Sequence, residues 1–256
     1  HIMIIETIKH RQPLENLAPV GCIGVIALAT DFNIETDLRR VYPEGTEMFT
    51  TRVRNTNPLT VENLRTMAPH ISAAADTLLP GFKLDAIIYA CTSGTIAIGV
   101  EQVTKLVQNA CPDVAVINPV SAALAAFEKL SDHKKISILT PYSKDVNQEV
   151  AVFFGEKGYE VSSMAGFGFE DDTAMTFIAT EDIVDAAVEM FDPNADLLFI
   201  SCTALRASVV IEEIEQRIGK PVLSTNQVLA WHSLQALGYD LPIKGFGSLM
   251  EQQRCQ

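Results

Sequence analysis

What the chain has little of narrows the field first. Positive charge is scarce: 19 Lys and Arg stand against 32 Asp and Glu, a formal net charge of −13 over 256 residues. With no basic stripe to neutralise phosphates and release counterions, nucleic acid is excluded as a partner, and so is a generic anionic membrane surface. No apolar run approaches the ~20 residues that span a bilayer, and no signal-peptide pattern precedes the first apolar strand. The expectation is a soluble, cytoplasmic protein with no membrane partner. Glycine-rich phosphate cradles are missing too. Neither G-x-G-x-x-G nor G-x-x-x-x-G-K-[ST] occurs, which argues against nicotinamide cofactors and nucleotides. There is no C-x-x-C, and His10, His70, His133 and His232 lack ligand spacing, so no metal is expected. Five cysteines (22, 91, 111, 202 and 255) form no disulfide framework and read as free thiols. His1-Ile2 ahead of Met3 reads as a cloning remnant and is left out of the fold reasoning.

Two of those cysteines sit in matched surroundings. Cys91 follows an apolar run in AIIYACTSGTIAIG (86–99), and Cys202 follows another in LLFISCTALRASVV (197–210). Each pattern predicts a strand, then Cys-Thr, then a helix. A thiol at such a junction points at a crevice and feels the partial positive charge of the helix N-terminus, which lowers its pKa. Two such thiols facing each other form an acid/base pair or a nucleophile/acid pair, and neither arrangement needs a cofactor. Helix N-termini also hold small carboxylates through backbone N–H groups, and Ser93, Gly94 and Thr203 are placed for that. For Cys22 and Cys111 the packing explanation is preferred, as small buried hydrophobes. Cys255 lies in the tail and reads as incidental.

The halves repeat beyond the cysteines. Apolar strands are expected over 24–30 and 135–142. Ala27 lies 64 positions before Cys91, and Leu139 lies 63 before Cys202. Each cysteine is followed by a further short strand, an asparagine (Asn118, Asn226) and a helix, over 120–130 and 227–237. Self-similarity of this order implies two α/β units related by a pseudo-twofold. Short continuous apolar runs alternating with amphipathic stretches argue for parallel sheets with βαβ crossovers. The fold class is therefore α/β, with two flavodoxin-like parallel-sheet units and a cleft between them. The first lobe spans 1–131 and the second 132–256, with the last helix a candidate to pack back onto the first. Ligands bind beyond the carboxyl ends of such strands, where both cysteines fall.

As a set, Cys91-Thr-Ser-Gly, the midchain Thr140-Pro-Tyr142 and Cys202-Thr resemble the aspartate/glutamate racemase superfamily, from about Gly24 to Gly238. The resemblance is strongest to the branch holding maleate cis-trans isomerases, arylmalonate decarboxylases and racemase-like ectoine-utilisation proteins. LATDFNIETDLR (28–39), CTSGT (91–95) and CTALR (202–206) look most like the last group. The resemblance implies a cofactor-free isomerase or racemase, independent of pyridoxal phosphate and metal, acting on a small carboxylate. It makes Cys91 and Cys202 the catalytic pair: in the isomerases the first attacks the substrate double bond and the second handles the proton. It places Tyr142 as a hydrogen-bond donor to the substrate carboxylate, and Thr92, Ser93 and Thr203 where backbone amides hold carboxylate oxygens. The decarboxylases keep only the second-half cysteine, so the presence of both argues against simple decarboxylation. Homo-oligomers are common in enzymes of this family, though no interface is specified by the sequence.

Two departures bear on substrate. The isomerases have asparagine where this chain has Asp31 and, in the looser stretch GFGFEDD, where it has Asp172 or Asp171. An amide can donate to a carboxylate, whereas an ionised Asp only accepts and repels it, which disfavours a dianion such as maleate. Asp31 then faces an ammonium or hydroxyl group, as in an amino or hydroxy-amino acid of ectoine or aspartate metabolism, or it caps the helix beginning near Asn33. Tyr142 has a turn residue after Pro141 as its alternative. Arg206, one helical turn past Cys202, is read as a carboxylate ligand, a tuner of that thiol, or a surface ion-pair partner of Glu212 or Glu213. Arg52 and Arg54 point the same way in a second strand and line or rim the cleft. His232, beside Trp231, reads as a packed helix residue. Racemisation and cis-trans isomerisation need the same two thiols, and a small-carboxylate sensor with redox-active thiols is the non-enzymatic alternative.

Overall fold

The computed structural model describes residues 2–252, and its two four-stranded sheets are each built from one half of the chain. The first half supplies β1 (Gly21–Leu28), β2 (Thr46–Val53), β3 (Ala86–Tyr89) and β4 (Ala115–Ile117), ordered β2-β1-β3-β4. The second supplies β5 (Lys135–Thr140), β6 (Glu160–Gly166), β7 (Leu197–Ile200) and β8 (Val222–Ser224), ordered β6-β5-β7-β8. All neighbours pair in parallel. The two orders are the same order, so the expected flavodoxin-like duplication is present. The strand GCIGVIAL of β1 is buried along its whole length, which is why it reads as an unbroken apolar run rather than an alternating one.

The expected helices over 120–130 and 227–237 appear as Pro119–Leu130 and Thr225–Ala236. Each begins where local chemistry says it should. Asn118 Oδ1 accepts from the Ser121 amide at 2.8 Å and Pro119 occupies the first turn. Ser224 and Gln227 form a reciprocal capping box. These two helices are exchanged between the halves. Phe127, on the first, packs at 5.3 Å ring separations against Phe154, Tyr159 and Phe199 of the second half. The second helix packs on Pro119–Leu130, Ile34–Val41, β3 and β4. Sandwiched in this way, Thr225–Ala236 is buried on nearly all sides, polar residues included.

The second cysteine departs from the expected pattern. No helix follows Cys202: the chain turns, and the next helical residues are the 3₁₀ turn Ser208–Val210 and the helix Ile211–Ile218. Cys202 itself takes φ +131°, rare for a residue with a Cβ. With no helix beginning at Cys202, the macrodipole argument holds for the first cysteine alone. The C-terminal stretch from Pro242 to Gln252 is tied to the second half: the Ser248 amide donates to both Glu215 carboxylate oxygens at 3.1 Å, and Leu249 and Met250 are buried. Cys255 lies outside the described residues. Among those described, no helix is long and apolar enough to cross a membrane.

Candidate active site

The carboxyl ends of β3 and β7 bring their cysteines to the junction of the halves. Cys91 caps the helix Thr92–Ile98, and its Sγ accepts from the Gly94 amide at 3.2 Å, with Ser93 Oγ at 3.8 Å. Gly94 is required by space: a Cβ there would stand 2.6 Å from Met67 Cε and 2.8 Å from Cys91 Sγ. Cys202 is fixed differently. Its amide donates to Thr225 Oγ1 at 2.9 Å, while its Sγ accepts from the Ala204 amide at 3.4 Å and lies 3.9 Å from Met175 Sδ. Thr92 Oγ1 and Thr225 Oγ1 meet at 3.2 Å, joining the two cysteine segments across the halves. Tyr142 is buried near both sulfurs, and the charge of either thiolate would raise its phenol further.

Two carboxylates stand near the sulfurs, each accepting from a threonine hydroxyl of the opposite half. Asp31 Oδ2 accepts from Thr203 Oγ1 at 2.7 Å, and its Oδ1 accepts from the amides of Asn33 at 2.8 Å and Ile34 at 3.0 Å. The capping alternative for Asp31 is thus realised by Oδ1. Asp172 Oδ2 accepts from Thr30 Oγ1 at 2.9 Å, and Thr173 Oγ1 donates to the Thr30 carbonyl at 2.7 Å. Asp171 points elsewhere, capping the short helix Asp172–Thr176 through Ala174. Between the two aspartates of GFGFEDD, Asp172 is therefore the one turned into the junction. Cys91, Cys202, Asp31, Thr92, Ser93, Tyr142, Asp172 and Thr203 are all at most 6% exposed, and Gly94 is buried with them.

The electrostatics correct one expectation. Burial pushes the Cys91 thiol up to about 12, with a further push from Asp172, and the Gly94 amide and Ser93 only partly oppose it. Burial and Asp172 also raise Cys202 well above the ordinary thiol range, against donation from Ala204. The helix N-terminus stabilises a thiolate at Cys91, yet desolvation outweighs it. Asp172 is raised to about 7 by burial first and by the Asp31 charge second. Asp31 is raised by burial too, but its three donors make it the better-stabilised anion of the pair. The outcome is a site that stores protons on sulfur and on one carboxyl.

The remaining candidates have partners of their own. Arg206 binds the carbonyls of Thr176 at 2.8 Å and Ile178 at 2.9 Å, so it fastens the end of the Asp172 helix and is neither a carboxylate ligand nor a surface ion-pair partner. Arg52 donates to the carbonyls of Leu28 at 3.0 Å and Asp31 at 2.7 Å, pairs with Glu35, and stands near enough for its charge to favour ionised Asp31 and Asp172, while Arg54 is exposed. His232 stacks on Trp231 and its pKa is lowered by burial, as a packed residue should be. Cys22 is buried and Cys111 half-buried; the latter lines a cavity of about 330 Å³ near the amino ends of β3 and β4, away from the sulfurs described above. Missed from sequence were Thr30, Thr225 and Asn33, whose Nδ2 donates to the Thr203 carbonyl at 3.0 Å. Asn33 and Thr30 flank Asp31 in ATDFN, which was the available signal.

Comparison with known proteins fits this geometry. The sequence profile described as arylmalonate decarboxylase matches residues 23–250. A maleate isomerase of Pseudomonas putida is 24% identical over 242 residues, covering 89% of this chain and 96% of its own. An arylmalonate decarboxylase of Bordetella bronchiseptica is 28% identical over 122 residues, 46% of this chain, which thus spans about half (51%) of that relative. Among solved structures, a cysteine-to-alanine variant of the maleate isomerase Iso from Pseudomonas putida S16 with maleate superposes at TM-score 0.83 and 20% identity, covering 90% of this chain and 97% of its own. A Nocardia farcinica maleate cis-trans isomerase variant carrying a covalently bound succinylcysteine intermediate follows at 0.81 and 21%, covering 91% and 99%. These structural likenesses establish the fold.

Proposed function

The chain belongs to the arylmalonate decarboxylase family, and we propose that it is an isomerase that inverts the α-carbon of a small amino or hydroxy-amino acid with two cysteines and no cofactor. The observation that carries the reading is the pair of buried thiols, one from each half, with the Tyr142 phenol beside both. One sulfur, as thiolate, takes the α-proton: the C–H bond breaks, an S–H bond forms, and the electron pair spreads into the substrate carboxylate as an enolate. The other sulfur returns a proton to the opposite face and becomes the thiolate. Backbone amides at Ser93 and Thr203 and the Tyr142 hydroxyl are the groups we assign to the carboxylate, where the developing charge is greatest, while the Gly94 amide serves the Cys91 sulfur. Substrate must displace water and supply compensating charge before a thiol held near 12 ionises, so an ammonium group facing a carboxylate belongs to the mechanism.

That carboxylate is better assigned to Asp172 than to Asp31. Asp31 already accepts from Asn33, Ile34 and Thr203, whereas Thr30 is the side-chain donor to Asp172. A dicarboxylate without an ammonium would bring two negative charges to a site that already buries the Asp31 carboxylate, an arrangement that costs several kcal/mol even at an effective dielectric of ~20. The likeness of residues 28–39 to ectoine-utilisation proteins supports an amino acid of ectoine or aspartate metabolism.

Maleate isomerisation is the second reading, favoured by maleate isomerases that align over 89% and 91% of this chain. There Cys91 adds to the double bond, the adduct rotates about the resulting single bond, and elimination returns the thiol. Incubation with enantiopure aspartate, 3-hydroxyaspartate and 2,4-diaminobutyrate, followed by chiral chromatography, and with maleate, followed by fumarate absorbance, separates the two. The racemase reading expects one amino acid to lose its optical purity. Fumarate from maleate, with every amino acid untouched, refutes it.

A further inference from the structure

Behind the site lies a buried acid that the proposed chemistry does not use. Asp37, on the helix Ile34–Val41, is 0% exposed. Its Oδ2 accepts from Asn226 Nδ2 at 2.8 Å, Ser208 Oγ at 3.0 Å and Asn33 Nδ2 at 3.4 Å. Its Oδ1 has no donor, and neither has Asn226 Oδ1, on a residue 1% exposed. Both orphans are acceptors, and they belong to one touching pair. Buried acceptors left without a donor are rare and costly. A single proton removes both defects. A carboxyl and a carboxamide joined by N–H···O on one side can close O–H···O on the other.

We propose that Asp37 is a positioning residue that works as a neutral acid, paired with the Asn226 amide through two hydrogen bonds, and that this pair holds the turn carrying Cys202. Asn226 Nδ2 and Asn33 Nδ2 both donate to the Thr203 carbonyl, at 2.9 and 3.0 Å, and both also touch Asp37 Oδ2. Thr203 follows Cys202, whose φ of +131° persists only if its surroundings hold it there. Burial raises the Asp37 pKa, in keeping with a retained proton, and Arg40 on the same helix is the charge that opposes it. The groups that reach it from facing elements, Ser208 and Asn226, are neutral. The role rests on the reading of Cys202 as a reacting thiol.

The test compares Asp37→Asn with Asp37→Ala. An Asn side chain offers an N–H where the acid offers its O–H, so Asp37→Asn is expected to stay within about 3-fold of the parent kcat. Asp37→Ala is expected to lower kcat by about 100-fold with KM little changed, and to speed alkylation of Cys202 but not of Cys91. The infrared difference spectrum of parent minus Asp37→Asn at pH 7 should carry the carbonyl band of a protonated carboxyl. A carboxylate band there, or Asp37→Asn as damaging as Asp37→Ala, overturns the proposal. Should Asp37→Ala fail to fold, the infrared band and Asp37→Asn decide the matter. Full activity in Cys202→Ser would refute the reading of the site instead, and the infrared band would still report the state of Asp37.

Discussion

Replacing Asp172 by Asn should stabilise the protein at alkaline pH while impairing its reaction, and the size of the effect follows from the site. Folded Asp172 keeps its proton up to about pH 7, whereas an unfolded chain gives it up near the ordinary 3.8. Between those values the folded state binds more protons than the unfolded one, so this residue's contribution to stability falls as pH rises and levels off above about 7. A gap of about three pH units corresponds to ~4 kcal/mol at 1.36 kcal/mol per unit. The cause is burial first and Asp31 second, and neither acts on a neutral amide. Asn keeps an oxygen to accept from Thr30 and sheds the penalty. Urea denaturation of both proteins at pH 4 and pH 8 measures this. Near pH 4 the two should be equally stable; at pH 8 Asp172→Asn should be the more stable by up to ~4 kcal/mol. Parallel pH dependences in the two proteins would refute the reasoning, because they would show that Asp172 ionises when folded as readily as when unfolded.

Three further outcomes are expected. Gly94→Ala places a Cβ 2.8 Å from Cys91 Sγ and 2.6 Å from Met67 Cε, so it should cost ~1–3 kcal/mol of stability in thermal melts and depress kcat by displacing the thiol. Thr203→Val removes the 2.7 Å donor to Asp31 Oδ2 and should cost ~1.5–3 kcal/mol, read by chemical denaturation at pH 7. With its thiol pushed up to about 12, Cys91 should react with iodoacetamide at pH 8 at a rate limited by a thiolate fraction of ~10⁻⁴, far behind half-buried Cys111, as peptide mass mapping would show; equal rates would contradict the burial argument.

The strand pattern was legible because β1, β3, β5 and β7 are buried along nearly their whole length and show as continuous apolar runs, and because the pattern occurs twice; the half-exposed β2 and β6 show no such run. The placement of Cys91 was legible for a local reason: its sulfur caps the helix of the very segment that follows it. Cys202 misled. Its flanking residues match those of Cys91, but φ +131° is imposed by hydrogen bonds from Asn33 and Asn226 to the next carbonyl, and Asn33 stands 170 residues away from it. Asp172 and Thr30 are 142 positions apart, so no window reveals that each half supplies the donor for the other half's carboxylate. The thiol pKa values went in the opposite direction to the sequence argument for the same reason. A helix terminus is a local feature, while desolvation depends on how the two halves close. The packing of Pro119–Leu130 and Thr225–Ala236 across the halves joins distant segments, so no local window reports it.

The central claim is that two sulfurs act on opposite faces of one carbon, and proton exchange in D₂O tests it most directly. Each enantiomer of the reactive amino acid would be incubated with the parent, Cys91→Ser and Cys202→Ser, and loss of the α-proton followed by proton NMR. The account predicts that the parent exchanges and interconverts both enantiomers. Each serine variant should lose interconversion yet retain exchange with one enantiomer, and the two variants should retain opposite ones. Exchange of the same enantiomer in both variants, or undiminished interconversion in either, would contradict a two-thiol mechanism.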